Sequence, residues 1–305
     1  MSYRITGTGS CIPDIAKKNS DFLKNKFLDT DGGKFQSSNS EIIDKFNSIT
    51  GICERRYAPD EINCSDLAAV AAGLAINDSK LDQETLDYII VAHNTGDISC
   101  SSGQVDTLPS VASKVKAKLK IKNPNCVAYD IICGCPGWVE GIIQAKSFIK
   151  SGMAKKCLVI GCDTLSRILD ENDRDSMIYA DGSGAIVLES DSSYDGGILS
   201  HKSATFTYEG ENDYIFYGSS YDTNKRTKTD QKFIKMQGRK VYEFALTNVP
   251  VAMKSCFDDT NCNIEDLKKI FIHQANQKMD EAIINRFFRL YKLSAPEDIL
   301  PMNIE

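Results

Sequence analysis

Only three histidines, His93, His201 and His273, occur in 305 residues, with one tryptophan and eight prolines. Any chemistry that needs an imidazole therefore has three candidates. No run approaches eighteen uninterrupted apolar residues, so a membrane-spanning helix is not expected. The amino end, MSYRITGTGSCIPD, carries neither a secretory signal pattern nor a lipidation signature. Together these absences predict a cytoplasmic protein with no membrane partner. The net charge of -6 lacks the basic surplus that phosphate backbones require, so nucleic acid is not an expected partner. What is present is a globular composition, 42% hydrophobic and 26% charged with 20 glycines. The length suits two domains or one large two-part unit with a sizeable core.

Eleven cysteines are an odd count in a long chain. Several of them (Cys126, Cys133, Cys157, Cys162) lie in apolar runs where a free thiol behaves as a small hydrophobe. Reduced thiols are expected. One local departure from the acidic balance is SKVKAKLKIK, with Lys114, Lys116, Lys118, Lys120 and Lys122. It reads either as a solvated face or as a docking patch for an acidic partner.

Short β-rich apolar runs alternate with longer helical patterns, the mark of an α/β fold with buried strands. Strands are expected in LDYIIVAHNT (86–95), CVAYDII (126–132), KKCLVIGCD (155–163) and SGAIVLES (183–190). Helices are expected in SDLAAVAAGLAINDS (65–79), WVEGIIQAKSFIKSG (138–152) and GRKVYEFALTNVPVAMKSCF (238–257). A weak internal repeat sets QETLDYIIVAHN (83–94) against IEDLKKIFIHQA (264–275), which suggests a duplicated α/β half with a second strand at IFI. The Ser-, Asp- and Gly-rich DSSYDGG (191–197) marks the boundary between residues 1–190 and 191–305.

In YDIICGCPGW the apolar strand gives way through Gly134 and Gly137 to a helix. A helix start offers backbone N–H groups and a positive dipole end, which lower a thiol pKa and receive an oxyanion. Pro136 fits the first helical position. Cys135 is thus the expected nucleophile and Cys133 a packing residue. Zinc binding would need further Cys or His pairs at ligand spacing, and redox chemistry favours C-x-x-C over the one-residue gap here. His273 stands where the apolar IFI meets the polar HQANQK, at the carboxyl end of a strand where open α/β sheets place working groups. DGSG (181–184) precedes its strand, whereas a phosphate-binding loop follows one, so it reads as a glycine turn packed against a neighbour.

These residues resemble the thiolase-fold condensing enzymes, within them the β-ketoacyl-acyl-carrier-protein synthase III group. The resemblance runs from GTGSCIP (7–13) through SITGICERRYA (48–58), YDIICGCPGW, CDTLSRILDENDR (162–174), YADGSGAIVL and KMQGRKVYEFA (235–245) to FIHQAN (271–276). It implies two duplicated α/β halves in a layered αβαβα arrangement. The first half (1–190) would hold the acylated Cys135, spaced from Asp130 and Gly137 as in the family motif. The second half (191–305) would hold His273, which supports decarboxylation of a malonyl thioester. The implied reaction is a Claisen condensation in fatty acid or related polyketide synthesis, an acyltransferase activity without a resident cofactor or metal. Its substrates are acyl-coenzyme A or acyl carrier protein. By the same resemblance Asn276 and Gly238 contact a pantetheine arm, Arg174 lies near the nucleotide end of coenzyme A, and Leu108 reaches the pocket of a homodimer partner. Lys114 to Lys122, with Lys278, Arg286 and Arg289, would meet an acidic carrier protein.

Three departures accompany the resemblance. Ile49 precedes Thr50-Gly51 where the family carries an arginine, and Lys45 stands in place of an aromatic, which weakens nucleotide binding and favours a carrier-borne or unusual donor. Pro136 follows the nucleophile where a small residue is common. The family's second enolate-stabilising asparagine, in a G-N-[ST]-[SA] context, is absent before PMNIE, so the sequence is expected to be C-terminally incomplete. Two alternatives follow: acyl transfer on the same fold without decarboxylation, and a catalytically silent partner subunit.

Overall fold

The computed structural model describes residues 2–226 and 230–304. Two compact units share the chain. One comprises Met1–Ala16, Arg56–Arg167 and Ala180–Leu199; the other comprises Lys17–Arg55, Ile168–Tyr179 and Ser200–Glu305. This division by compactness interleaves the chain, whereas the 1–190 and 191–305 division concerns duplicated halves.

The first unit is built on a sheet of β1 (Tyr3–Cys11), β2 (Tyr88–His93), β3 (Val127–Ile132), β4 (Lys156–Thr164) and β5 (Asp181–Ser190) in the order β1-β5-β4-β2-β3. Strands β4, β2 and β3 run parallel, while β5 is antiparallel to both β4 and β1. The longer helices, numbered along the chain, are α1 (Asn39–Thr50), α2 (Cys64–Ser79), α3 (Val111–Lys118), α4 (Gly137–Ser151), α5 (Gly238–Asp258) and α6 (Gln277–Arg289). Of these, α2, α3 and α4 belong to the first unit.

The central strands are apolar at consecutive positions because both faces are covered. Ile89, Val91, Leu158 and Ile160 pack with α2 and α3, while the alternate residues Ile90, Cys157 and Val159 pack with Ala145 and Ile149 of α4. The close seat of α2 requires glycine in β1: a Cβ on Gly9 would come within 2.2 Å of the Ala71 carbonyl oxygen. DGSG is not a turn. Its residues open β5, where Asp181 pairs with Thr164 and Gly184 with Gly161, and Asp181 anchors the strand by accepting from the Ala58 amide and from Ser166.

The second unit holds α1, α5, α6 and the hairpin of β6 (Ile215–Gly218) and β7 (Phe233–Met236). Helix α1 starts on a capping box, with the Glu41 amide donating to Ser38 Oγ and the Ser38 amide to the Glu41 carboxylate. Inside this unit Lys235 is buried, its Nζ 2.7 Å from Asp170 Oδ2 and 3.1 Å from Asp173 Oδ2. The strand expected at residues 270–272 is not formed. Phe271 is 83% exposed, and no strand pairs with this stretch among the described residues, so it lacks the ladder that would make it a strand.

Candidate active site

Cys135 lies between the carboxyl end of β3 and the amino end of α4. Gly134 turns the chain there with φ +66°, a left-handed conformation that suits glycine, and its carbonyl accepts from the Gly137 amide at 3.0 Å. Pro136 is the N-cap rather than the first helical residue, which moves the helix start one residue further from the thiol. Cys135 is exposed, and so is Cys133, which is therefore not a packing residue; all eleven cysteines are free thiols. The expected lowering of the Cys135 pKa is not seen. Burial among surrounding atoms and then the Asp163 carboxylate push the thiol up, outweighing a hydrogen bond from its own amide. At rest, Cys135 is a thiol.

The motif aspartate has a mechanical role. Asp130 accepts from His93 Nε2 at 3.0 Å and from the amides of Val111 and Ala112 at 2.8 and 2.7 Å. It ties the strand that delivers Cys135 to the start of α3 and to the neighbouring strand. Burial pushes its carboxyl up, but these bonds together outweigh that and hold it below the usual range. Behind Cys135, Asp163 accepts from the Asn94 amide at 2.8 Å and from Asn94 Nδ2 at 2.6 Å. Burial pushes Asp163 up to about 6. Sequence reasoning passed over Asn94 and Asp163. Their signal was positional: each follows the apolar part of a strand expected to neighbour the one leading to Cys135.

In the second unit His273 lies in irregular chain ahead of α6. The residue is exposed at the surface, yet desolvation by the atoms packed around its ring lowers its pKa, so its imidazole is neutral at neutral pH. The adjoining Gln274 holds the chain beyond it, with Nε2 donating to the Pro301 carbonyl and Oε1 accepting from the Asn303 amide. Asn276 is the N-cap of α6, its Oδ1 accepting from the Met279 amide at 3.0 Å.

Asn276, Gly238 and Arg174 all line one cavity of about 470 Å³. Its wall is largely apolar, with Ile49, Phe46, Met236 and Val241 among its residues. Few of its cations are unengaged. Arg174 stacks over the Phe35 ring at 4.7 Å and lies 3.9 Å from the Asp175 carboxylate, and Arg239 pairs with Glu243 at 2.8 Å. Lys45 has no ion-pair partner among the described residues. Burial, followed by repulsion from Asp173, pushes Asp175 up to about 6.

The lysine run is mostly engaged at home. Lys114 bridges Asp97 and Asp106, Lys116 donates to the carbonyls of Asn123 and Cys126, and Lys118 pairs with Asp66. Arg286 donates to the Leu246 carbonyl. Of the cations expected to meet a carrier protein, Lys120, Lys122, Lys278 and Arg289 have no such engagement among the described residues. Leu108 is 87% exposed. Among the described residues no cluster of three or more His, Cys, Asp or Glu is arranged to hold a metal, and no helix is long and apolar enough to cross a membrane.

A mixed sheet covered by helices, with an exposed cysteine where a parallel strand runs into a helix, is the frame of a thiolase-fold condensing enzyme. The structure superposes on the 3-oxoacyl-(acyl carrier protein) synthase III of Pseudomonas aeruginosa PAO1 with a TM-score of 0.79 at 24% identity, covering 100% of this chain and 83% of the other. Against the synthase III from Aquifex aeolicus VF5 the TM-score is 0.75 at 28% identity, covering 99% and 84%. In sequence the chain is 30% identical over 317 residues to a β-ketoacyl-[acyl-carrier-protein] synthase III of Porphyra purpurea, covering 100% of this chain and 85% of that relative. It is 34% identical over 284 residues to a synthase III of Vibrio vulnificus, covering 92% and 80%. The family profile for 3-oxoacyl-[acyl-carrier-protein (ACP)] synthase III matches residues 129–205. The chain belongs to the β-ketoacyl-[acyl-carrier-protein] synthase III family.

Proposed function

We propose that this chain is an acyltransferase that forms a 3-oxoacyl thioester through an acyl-Cys135 intermediate. The observation that carries the reading is the exposed Cys135 on the Gly134 turn at the start of α4. Cys135 attacks the donor's thioester carbonyl, and the proton it gives up is taken by the departing donor sulfur, which leaves as the thiol. A malonyl thioester on acyl carrier protein then loses carbon dioxide, and the resulting enolate attacks the acyl-Cys135 carbonyl and releases the Cys135 thiolate. His273, neutral because burial lowers its pKa, is suited to donate a hydrogen bond to the developing enolate oxygen. No cofactor or metal is invoked.

The cavity bearing Asn276, Gly238 and Arg174 takes the pantetheine arm of a donor. Its few unengaged cations support a carrier-borne donor over the anionic nucleotide of coenzyme A. The outer edge of β3, to which no strand pairs among the described residues, with exposed Val127 and Ile132, and the exposed Leu108 support a homodimer. Lys120, Lys122, Lys278 and Arg289 are the cations left to meet an acidic carrier protein. A cytoplasmic site of action accords with this chemistry.

The test is incubation with acetyl and hexanoyl thioesters of coenzyme A and of acyl carrier protein, read by intact mass and peptide mapping. An acyl adduct on Cys135, absent from Cys135→Ser, is expected, followed by carbon dioxide release on adding malonyl-acyl carrier protein. No adduct on Cys135 from any donor refutes the reading. An adduct without carbon dioxide release refutes the condensation step alone.

A further inference from the structure

The nucleophile turn does not stand alone at the carboxyl edge of the sheet. Strands β3, β2 and β4 run parallel there, with His93 paired to Ile132 and Ala92 to Gly161. One residue beyond His93, the register sets Asn94 between Cys133, which leads into Gly134 and Cys135, and Asp163. The Asn94 amide and its Nδ2 both donate to Asp163, at 2.8 and 2.6 Å and to separate carboxylate oxygens. With both donors engaged on that side, the amide oxygen Oδ1 is turned the other way. It lies 3.9 Å from where a Cβ on Gly134 would stand.

Asp163 is otherwise an expensive residue to place here. It is a buried carboxyl without a salt bridge among the described residues. The neighbouring polar side chains are committed elsewhere, His93 to Asp130 and Asp181 to Ala58 and Ser166. Its negative charge also opposes ionisation of Cys135. A group that hinders thiolate formation is not an activator of the thiol, so its service must be geometric.

We infer that Asn94, clamped by Asp163, is a positioning residue that fixes the Gly134 turn and thereby the direction in which Cys135 meets an acyl donor. The inference rests on Cys135 being the acylated nucleophile. It separates two properties that ordinarily move together: intrinsic reactivity of the thiol, which Asp163 suppresses, and productive attack on a bulky thioester, which the clamp serves. Displacements of about 1 Å at a reacting centre lower rates by up to about a hundredfold.

Asp163→Asn keeps the volume but removes the charge and one acceptor of the clamp. Its Cys135 is to be titrated with iodoacetamide at pH 7 and, separately, acylated with the acetyl and hexanoyl thioesters of coenzyme A and of acyl carrier protein. The expected result is alkylation held or raised about threefold, from the lost charge, with acylation falling at least about tenfold. Asn94→Ala carries the same test should Asp163→Asn not fold, with alkylation held and acylation lost. A parallel loss of alkylation, or an acylation loss below about tenfold, overturns the inference. A wild-type chain that is alkylated at Cys135 but acylated by no donor sinks the nucleophile reading itself, and the inference with it.

Discussion

Asp280 is a buried carboxyl without a hydrogen-bond partner among the described residues, and replacing it should stabilise the fold in a pH-dependent way. It sits on the face of α6 that also buries Ile283, Ile284, Phe287 and Phe288. Its exposure is 0%, and neither carboxylate oxygen has a hydrogen-bond partner among the described residues. Burial, with repulsion from Glu281 second, pushes its pKa from 3.8 to about 7. A carboxyl whose folded pKa lies above its unfolded value costs nothing below the unfolded pKa, about pH 4. Stability is then lost as pH rises through about 7. At roughly 1.36 kcal/mol per unit the full loss is about 4 kcal/mol above pH 7. It is a ceiling, since local relaxation that admits water lowers it. Asp280→Asn keeps the shape without the titration. Urea unfolding at pH 4 and pH 8 should show little difference from wild type at the lower pH. At pH 8 the variant should gain about 2–4 kcal/mol, a few degrees or more in Tm. Equal differences at both pH values, or no gain at pH 8, would refute the reasoning.

Lys235→Met should destabilise the second unit by about 3–5 kcal/mol, read by denaturant midpoint, because it leaves the Asp170 and Asp173 carboxylates buried without their shared cation. Asp175, on the cavity wall with its pKa near 6, becomes negative as pH rises through that value. Calorimetric titration with acetyl-coenzyme A should therefore show affinity falling between pH 5 and pH 7.5, and Asp175→Asn should flatten the trend. Placing a charge on the open edge of β3 with Ile132→Lys should convert a dimer to monomer in light scattering; an unchanged mass would count against that edge as the interface.

Much of the first unit was legible because hydrophobic periodicity is a local property. The doubly covered strands are continuous apolar runs, and the helices over them end where the sequence signals an end, as α4 does at Gly152 in the left-handed conformation. The misreadings share a cause. IFI has the composition of a strand, but a strand needs a partner to complete its hydrogen bonds, and sequence composition does not report whether one is there. DGSG has the composition of a turn, yet pairing with β4 and β1 draws it into β5. In both cases the neighbour decided, and the neighbour is far away in sequence.

The same division applies to the site. That Cys135 stands at a strand-to-helix junction could be read from the glycines and the helical pattern beside it, whereas the exposure of Cys133 at the same junction could not. Nor could the titration of Cys135, because that depends first on burial by the folded chain and then on Asp163, 28 residues further along the chain. A helix start argues for an acidic thiol, but here Pro136 takes the N-cap and the Gly137 amide is engaged by Gly134. Burial of the thiol, and after it the Asp163 carboxylate, then outweigh the dipole end of α4. A thiol that rests protonated must give up its proton as the donor arrives. Acylation by this protein should therefore accelerate with pH well beyond neutrality, and the acceleration should begin at lower pH once Asp163 is made neutral.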